Sequence, residues 1–96
     1  MSVSSSVPSQ ATDIVILSGA RTAIGGFGGS LAGIAPIDLA AHVARAAIAR
    51  AGIEAAQVGT TVFGHVINTE PRDMYLSRVA ASQAGVPDSA PAMNVN

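Results

Sequence analysis

The stretch that decides the fold is S-G-A-R-T-A-I-G-G-F-G-G-S-L, residues 18–31, which directly follows the apolar run I-V-I-L at residues 14–17. Four of the five residues from Gly25 to Gly29 are glycine. Glycine reaches positive φ and lets another backbone approach without a Cβ in the way. A continuous apolar run is typical of a parallel strand covered on both faces. We therefore expect a buried strand over Asp13–Gly19 that ends in a glycine loop.

The glycine loop does not match the known phosphate-binding patterns. Counted from Gly26, the dinucleotide pattern G-x-G-x-x-G needs a glycine where Leu31 stands. The P-loop needs a lysine, and the five Lys-or-Arg residues of this chain are all arginine. Spacing alone favours a structural turn, because glycine clusters mark loops far more often than binding sites.

Three segments resemble the amino-terminal part of the thiolase family. I-V-I-L-S-G-A-R-T-A-I-G-G-F-G-G-S-L is similar to the first strand and its turn, and F-G-H-V-I-N-T-E-P-R-D-M-Y-L-S-R-V-A-A, residues 63–81, is similar to the second strand and helix of bacterial β-ketothiolases. P-A-M-N-V-N, residues 91–96, resembles the strand that leads to the thiolase nucleophile. The three segments occur in family order, with suitable separations, and cover nearly everything after Asp13.

The resemblance implies an acyl-CoA C-acyltransferase of the β-ketothiolase or acetyl-CoA acetyltransferase type, in fatty-acid metabolism or polyhydroxyalkanoate biosynthesis. Such an enzyme condenses two acyl-CoA molecules, or cleaves 3-ketoacyl-CoA, through an acyl-cysteine. The CoA thioester is the substrate, so no separate cofactor is expected. The chain contains no cysteine. We therefore expect no catalytic, cofactor-binding or metal-binding residue within it, and we place the nucleophile beyond Asn96.

The resemblance also implies a homodimer or a dimer of dimers. In thiolases the loop and helix that match residues 68–78 lie close to the dimer interface, and the strand that matches residues 92–96 pairs with its twofold mate. An unpaired edge strand otherwise invites aggregation. The interface residues predicted in this way are Arg72, Asp73, Met74, Arg78, Met93, Val95 and Asn96.

The order of elements predicts an α/β fold, the first βαβαβ portion of a thiolase-like domain, with a mostly parallel sheet and helices on its faces. Pro36 can open a helix and Gly52 can close it, which predicts a helix over Pro36–Ala51. Its expected buried stripe is Ala40, Val43, Ala44, Ala47, Ile48 and Ala51. The other predicted elements are a helical turn Glu54–Val58, a strand Thr60–Ile67, a loop Asn68–Arg72, a helix Met74–Ala84 with Asp73 as its N-cap, and a strand Pro91–Asn96.

Composition excludes several classes of protein. Five basic residues stand against six acidic ones and are spread along the chain, so no basic stripe for nucleic acid is present. No apolar run approaches the roughly 18 residues that a membrane span needs. Residues 1–12 predict a disordered polar leader without signal-peptide features, and residues 13–96 the thiolase-like part. These features predict a cytoplasmic protein that binds neither nucleic acid nor membrane.

Residues that could carry chemistry within the chain have simpler interpretations. His42 is expected to be solvated, and His65, which interrupts a strand, to pack or hydrogen-bond. Glu70, Arg72, Asp73 and Arg78 would by themselves form a solvated rim of weak ion pairs.

Two alternatives to a thiolase stay open. One is a non-catalytic α/β interaction or assembly subunit that uses its terminal strand for β-augmentation. The other is a thiolase-fold condensing enzyme such as a ketoacyl synthase, although T-E-P-R-D-M-Y-L-S-R-V-A-A fits thiolases better.

Overall fold

The computed structural model describes residues 13–95, so the predicted leader over residues 1–12 and Asn96 lie outside the described residues. The elements, in chain order, are helix α1 (Pro36–Ala51), a first 3-10 turn (Ala55–Gln57), strand β1 (Thr61–Gly64), a second 3-10 turn (Pro71–Tyr75), helix α2 (Leu76–Gln83) and strand β2 (Ala92–Val95).

The two strands pair in parallel. Their register places Thr61 beside Ala92 and Gly64 beside Val95. The pairing continues one bond further, because the N–H of His65 donates to the carbonyl of Val95 at 2.8 Å. Parallel neighbours need a crossover connection, which the second 3-10 turn and α2 supply. The predicted α/β architecture with a parallel sheet is therefore confirmed, although both strands are shorter than expected.

Helix α1 has the predicted bounds. Pro36 lies in its first turn, and Gly52 closes it in the left-handed conformation with φ of 73°. Its fully buried residues are Ile37 and Ala41, whereas the predicted stripe from Ala40 to Ala51 is only half-buried. The stripe prediction was wrong in this respect because α1 packs mainly on α2 rather than flat on the sheet.

Helix α2 links the core to the strands. Its buried residues are Leu76, Ser77, Ala80 and Ala81. Ala81 packs with Val86 and Ala90, and Ile48 and Val58 cover this cluster. Mostly small side chains fill the core, so the helices approach each other closely.

The strand predicted over Asp13–Gly19 does not form in this structure. The side chains of Ile14 and Ile16 are 94% and 93% exposed. Ser18 Oγ donates to the carbonyl of Ala47 at 2.7 Å, and Arg50 Nη1 donates to the carbonyl of Gly19 at 3.0 Å. The segment is thus tied to α1, and it pairs with neither β1 nor β2. An apolar run becomes a strand only where another strand offers its backbone groups.

The glycine loop is the structural turn that its spacing predicted. The N–H of Gly29 donates to the carbonyl of Gly26 at 2.9 Å. Gly28 has φ of 66°, and a Cβ on Gly29 would lie 3.0 Å from the Gly26 oxygen. Side chains at these two positions would strain the turn. Within residues 13–95, no helix has the length and apolar character to cross a membrane.

Candidate functional site

Polar side chains gather where the two parallel strands end. β1 and β2 run in the same direction, so their carboxyl ends lie at one edge of the sheet. In open α/β sheets, ligands bind beyond the carboxyl ends of the strands. His65 directly follows β1, and Asn94 lies one residue before the end of β2. We call this region, with the second 3-10 turn beside it, the carboxyl edge.

Asp73 is the centre of the first group of contacts at the carboxyl edge. Its side chain is fully buried. Oδ2 accepts hydrogen bonds from the N–H of Thr69 at 2.6 Å, the hydroxyl of Thr69 at 2.7 Å and the N–H of Glu70 at 3.3 Å. Asp73 therefore holds the loop after β1 against the second 3-10 turn.

Hydrogen bonds to the ionised carboxylate hold the pKa of Asp73 below its ordinary value. The backbone N–H of Thr69 contributes most and the Thr69 hydroxyl next, whereas burial opposes the shift. His65 Nε2 lies 3.4 Å from Asp73 Oδ2. Among the described residues, neither His65 Nε2 nor Asp73 Oδ1 has a hydrogen-bond partner. The two side chains therefore lie close together without a hydrogen bond between them.

Ser77 and Asn94 form a second group of contacts, which we call the strand clamp. Ser77 Oγ accepts the N–H of Phe63 at 3.1 Å and donates to the carbonyl of Met93 at 2.7 Å. Asn94 Oδ1 accepts the N–H of Ser77 at 2.9 Å. Asn94 Nδ2 donates to the carbonyls of Met74 at 3.0 Å and Asp73 at 3.3 Å. The clamp joins the first turn of α2 to both strands.

The predicted interface residues other than Asp73 fall into three groups. Met74, Met93 and Val95 are 61%, 56% and 46% exposed. Arg72 is also exposed, and its Nε donates to Glu70 Oε1 at 2.7 Å, which raises the pKa of Arg72. Arg78 is half-buried and donates to the carbonyl of Asp88 at 3.3 Å. Asn96 lies outside the described residues. The interface itself stays a prediction.

Asp73 departs from its sequence-based description in two respects. It is not the N-cap of α2, because that position is Tyr75 and no side chain caps the helix there. Its carboxylate is also not on the solvated rim, because the donors of Thr69 and Glu70 draw it inward. As the structure stands, the Asp73 side chain offers no surface to a partner.

Sequence reasoning missed Thr69, Ser77 and Asn94 as members of this site. The alternation over residues 93–96 did separate Asn94 from Met93 and Val95, which was the available signal. His65 is packed as expected, with its side chain 14% exposed and beside Asp73, while His42 is exposed as expected. Within residues 13–95, no three histidine or acidic side chains converge as a metal site.

Comparison with known proteins gives a consistent family. A family model described as "Thiolase, N-terminal domain" matches residues 14–96. Beta-ketothiolase BktB of Cupriavidus necator is 58% identical over 84 residues, which are 88% of this chain and 21% of that relative. An acetyl-CoA acetyltransferase of the same bacterium is 47% identical over 85 residues, again 88% of this chain and 21% of the relative.

Solved structures agree with the sequence matches. The human mitochondrial 3-ketoacyl-CoA thiolase superposes with a TM-score of 0.80 at 28% identity, over 83% of this chain and 20% of that one. The Bacillus anthracis acetyl-CoA acetyltransferase gives a TM-score of 0.75 at 35% identity, over 84% of this chain and 20% of that one. The chain thus spans about a fifth of the length of the relatives it matches.

Proposed function

The chain belongs to the thiolase family, and from that premise we propose that it is the amino-terminal part of a β-ketothiolase acting on acyl-CoA thioesters. The observation that carries the proposal is the family match over residues 14–96, together with 58% identity to a β-ketothiolase. The carboxyl edge supports it, because the family's nucleophile follows the strand that corresponds to β2.

The proposed reaction is acyl transfer through a covalent intermediate. In the degradative direction a cysteine thiolate attacks the ketone carbon of 3-ketoacyl-CoA, the bond between the α and β carbons breaks, and acetyl-CoA leaves after taking up a proton. The shortened acyl group stays on the cysteine and is transferred to the sulfur of a second CoA. Oxyanion-hole donors stabilise the negative charge that develops. This chain has no cysteine, so these steps belong to other parts of the enzyme.

The contribution of this chain is to build and orient one end of the site. Two parallel strands, fixed by α2, bring the ends of β1 and β2 to one edge. Met74, Met93 and Val95 are exposed, and Met93 and Val95 share one face of β2. These side chains support the proposal of a homodimer or a dimer of dimers, because exposed apolar groups favour association. The cytoplasmic location stays a prediction from residues 1–12.

The experiment is to express the complete reading frame that contains this chain and to assay it with acetoacetyl-CoA and CoA. We expect thiolysis that stops when the reactive cysteine is alkylated with iodoacetamide. Pure, folded protein without turnover would overturn the proposal. Of the alternatives, a ketoacyl synthase would instead condense malonyl thioesters, and an interaction subunit would bind a partner chain without turning over either substrate.

A further inference from the structure

The strand clamp places hydrogen-bonding side chains where apolar packing would be expected. Alternate residues of the two strands, Phe63 and Asn94 among them, are half-buried, while their neighbours along each strand are exposed. Helix α2 packs against both strands. A side chain in that layer contributes most simply by being apolar. Asn94 instead makes three hydrogen bonds there, and Ser77, which is 1% exposed, makes two through its hydroxyl.

The hydrogen bonds of the strand clamp fix the orientation of β2 relative to α2 as well as the distance between them. Removing an amide from water costs free energy unless its polar atoms are bonded, and in the half-buried Asn94 the side-chain oxygen and nitrogen both have partners. An apolar residue would tolerate small shifts of β2 along α2, since packing has no preferred direction. The hydrogen bonds would not tolerate such shifts, because a hydrogen bond weakens steeply as its angle departs from linear. The clamp therefore sets the position and angle of β2.

The clamp acts on the end of β2 that leads to the proposed chemistry. Met93 and Asn94 are the bonded residues, and Val95 is the last residue of the strand. In the proposed enzyme the nucleophile follows β2. A shift at Asn94 would therefore move the nucleophile, which follows it closely along the chain. Such a shift matters because reacting groups must be held to within about 0.5 Å of productive geometry.

We propose that Asn94 and Ser77 are positioning residues for the nucleophile of the acyl-transfer reaction. The inference rests on the proposed function. Neither side chain needs to touch the substrate. Asn94 holds the carboxyl end of β2 against the start of α2, and Ser77 holds β2 at a fixed distance from β1.

The test uses Asn94→Leu, Asn94→Ala and Ser77→Ala in the complete enzyme that contains this chain. Asn94→Leu is the decisive variant, because leucine keeps the branching and the number of side-chain heavy atoms while removing all three hydrogen bonds; Asn94→Ala removes the same bonds without adding volume. We expect kcat to fall about 10- to 100-fold, with KM for acetoacetyl-CoA nearly unchanged. The pH profile for alkylation of the nucleophile by iodoacetamide should also shift, because the thiolate changes its surroundings.

Gln83→Ala and Ser82→Ala are the matched controls. Both residues are exposed on α2. The substitutions remove an amide and a hydroxyl that lie outside the clamp, so both variants should keep the wild-type kcat and alkylation profile. A folded Asn94→Leu enzyme with wild-type kcat and alkylation profile would overturn the inference. So would an Asn94→Leu enzyme that fails to fold, since the amide would then act in folding. A wild-type enzyme without thiolysis would instead contradict the proposed function.

Discussion

At the scale of single residues, the carboxyl edge depends on one buried carboxylate. Asp73 gathers two N–H groups and a hydroxyl from Thr69 and Glu70 onto a single oxygen. Hydrogen bonds to an ionised group are among the stronger ones in proteins. They outweigh the cost of burial, because the pKa of Asp73 is lowered although burial alone would raise it. The ionised form of Asp73 therefore stabilises the loop that follows β1.

The lowered pKa predicts how stability responds to acid. A carboxyl group whose pKa is lower in the folded state contributes stability above its unfolded pKa and loses it as the pH falls through the folded pKa. For Asp73 the loss therefore begins near its ordinary value of 3.8 and continues below it. We expect Asp73→Asn to lower the melting temperature at neutral pH and to flatten its fall in acid. Thermal melts of the complete enzyme between neutral pH and strong acid measure both effects.

Two further variants sharpen this pH test. Thr69→Val removes the hydroxyl but keeps the N–H, so it should produce part of the Asp73→Asn effect. Asp88→Asn changes an exposed acid beyond α2 and should leave the acid response as it is. Equal acid slopes for the wild type and Asp73→Asn would show that the buried carboxylate does not control this transition.

At the scale of elements, local sequence signals predicted the bounds of α1 correctly but gave the wrong start for α2. Pro36 and Gly52 bound α1 through backbone chemistry that needs no distant partner. Aspartate is a common N-cap residue, yet the Asp73 carboxylate accepts hydrogen bonds from Thr69 and Glu70 instead, and the α-helix starts at Leu76. The strand expected over Asp13–Gly19 depends on a pairing partner, which periodicity does not supply. Local sequence signals therefore predicted the element whose ends are set by its own residues, and they failed where an element depends on a distant partner.

The candidate site was harder to predict than the fold. His65, Thr69 and Asp73 lie close in sequence, but their contact depends on a turn whose direction the Asp73 carboxylate sets. Asn94 meets α2 only after β2 pairs beside β1, because it lies 17 positions after Ser77 in the sequence. The resemblance identified the family correctly and drew attention to Asp73, but it predicted no contact of the strand clamp.

The end of α2 provides a prediction about backbone conformation. Gly85 follows the helix with φ of 92°, and an added Cβ would lie 3.4 Å from Ala55 Cβ. We expect Gly85→Ala to lower the free energy of unfolding by about 1 to 3 kcal/mol, because L side chains rarely adopt this conformation. Urea melts of the complete enzyme measure the loss.

Gly59→Ala is the matched control for Gly85→Ala. An added Cβ at Gly59 would meet nothing within 4 Å. The variant should be neutral or slightly stabilising, because alanine lowers the entropy of the unfolded chain. Equal losses for the two alanine variants would mean that the positive φ at Gly85 has no special role.

At the scale of the whole molecule, one face of the sheet is uncovered by the described residues. Val62 is 55% exposed and Met93, its partner in the register, is 56% exposed. Parallel sheets normally have both faces covered. The chain spans about a fifth of the length of its relatives, and we propose that the other parts of the thiolase cover this face and supply a partner for Ile14–Leu17.

Arg78 tests the proposed dimer. Arg78 is half-buried as a residue, and its guanidinium makes an exposed hydrogen bond to the carbonyl of Asp88, which leaves further donors for a partner subunit. Lysine lacks this planar fork. We expect Arg78→Lys in the complete enzyme to weaken the dimer, by up to about tenfold in affinity for 1.4 kcal/mol lost, and to lower activity in parallel. Arg50→Lys is the control, because lysine can keep its single bond to Gly19. Unchanged sedimentation and rate for Arg78→Lys would make this arginine an ordinary surface charge.

The last prediction concerns the 96-residue chain studied alone. Apolar surface left in water forfeits about 25 cal/mol for each Å², and Ile14, Ile16, Val62 and Met93 are all largely exposed. Ordering each residue costs about 1 to 2 kcal/mol in backbone entropy, which the small alanine-rich core must offset. We therefore expect broad, weakly cooperative thermal unfolding by circular dichroism, and no thiolysis of acetoacetyl-CoA above the blank because the chain has no cysteine. The complete enzyme, measured in parallel, should melt sharply and turn over. A sharp transition of the monomeric 96-residue chain would show that its core is sufficient without the covering elements.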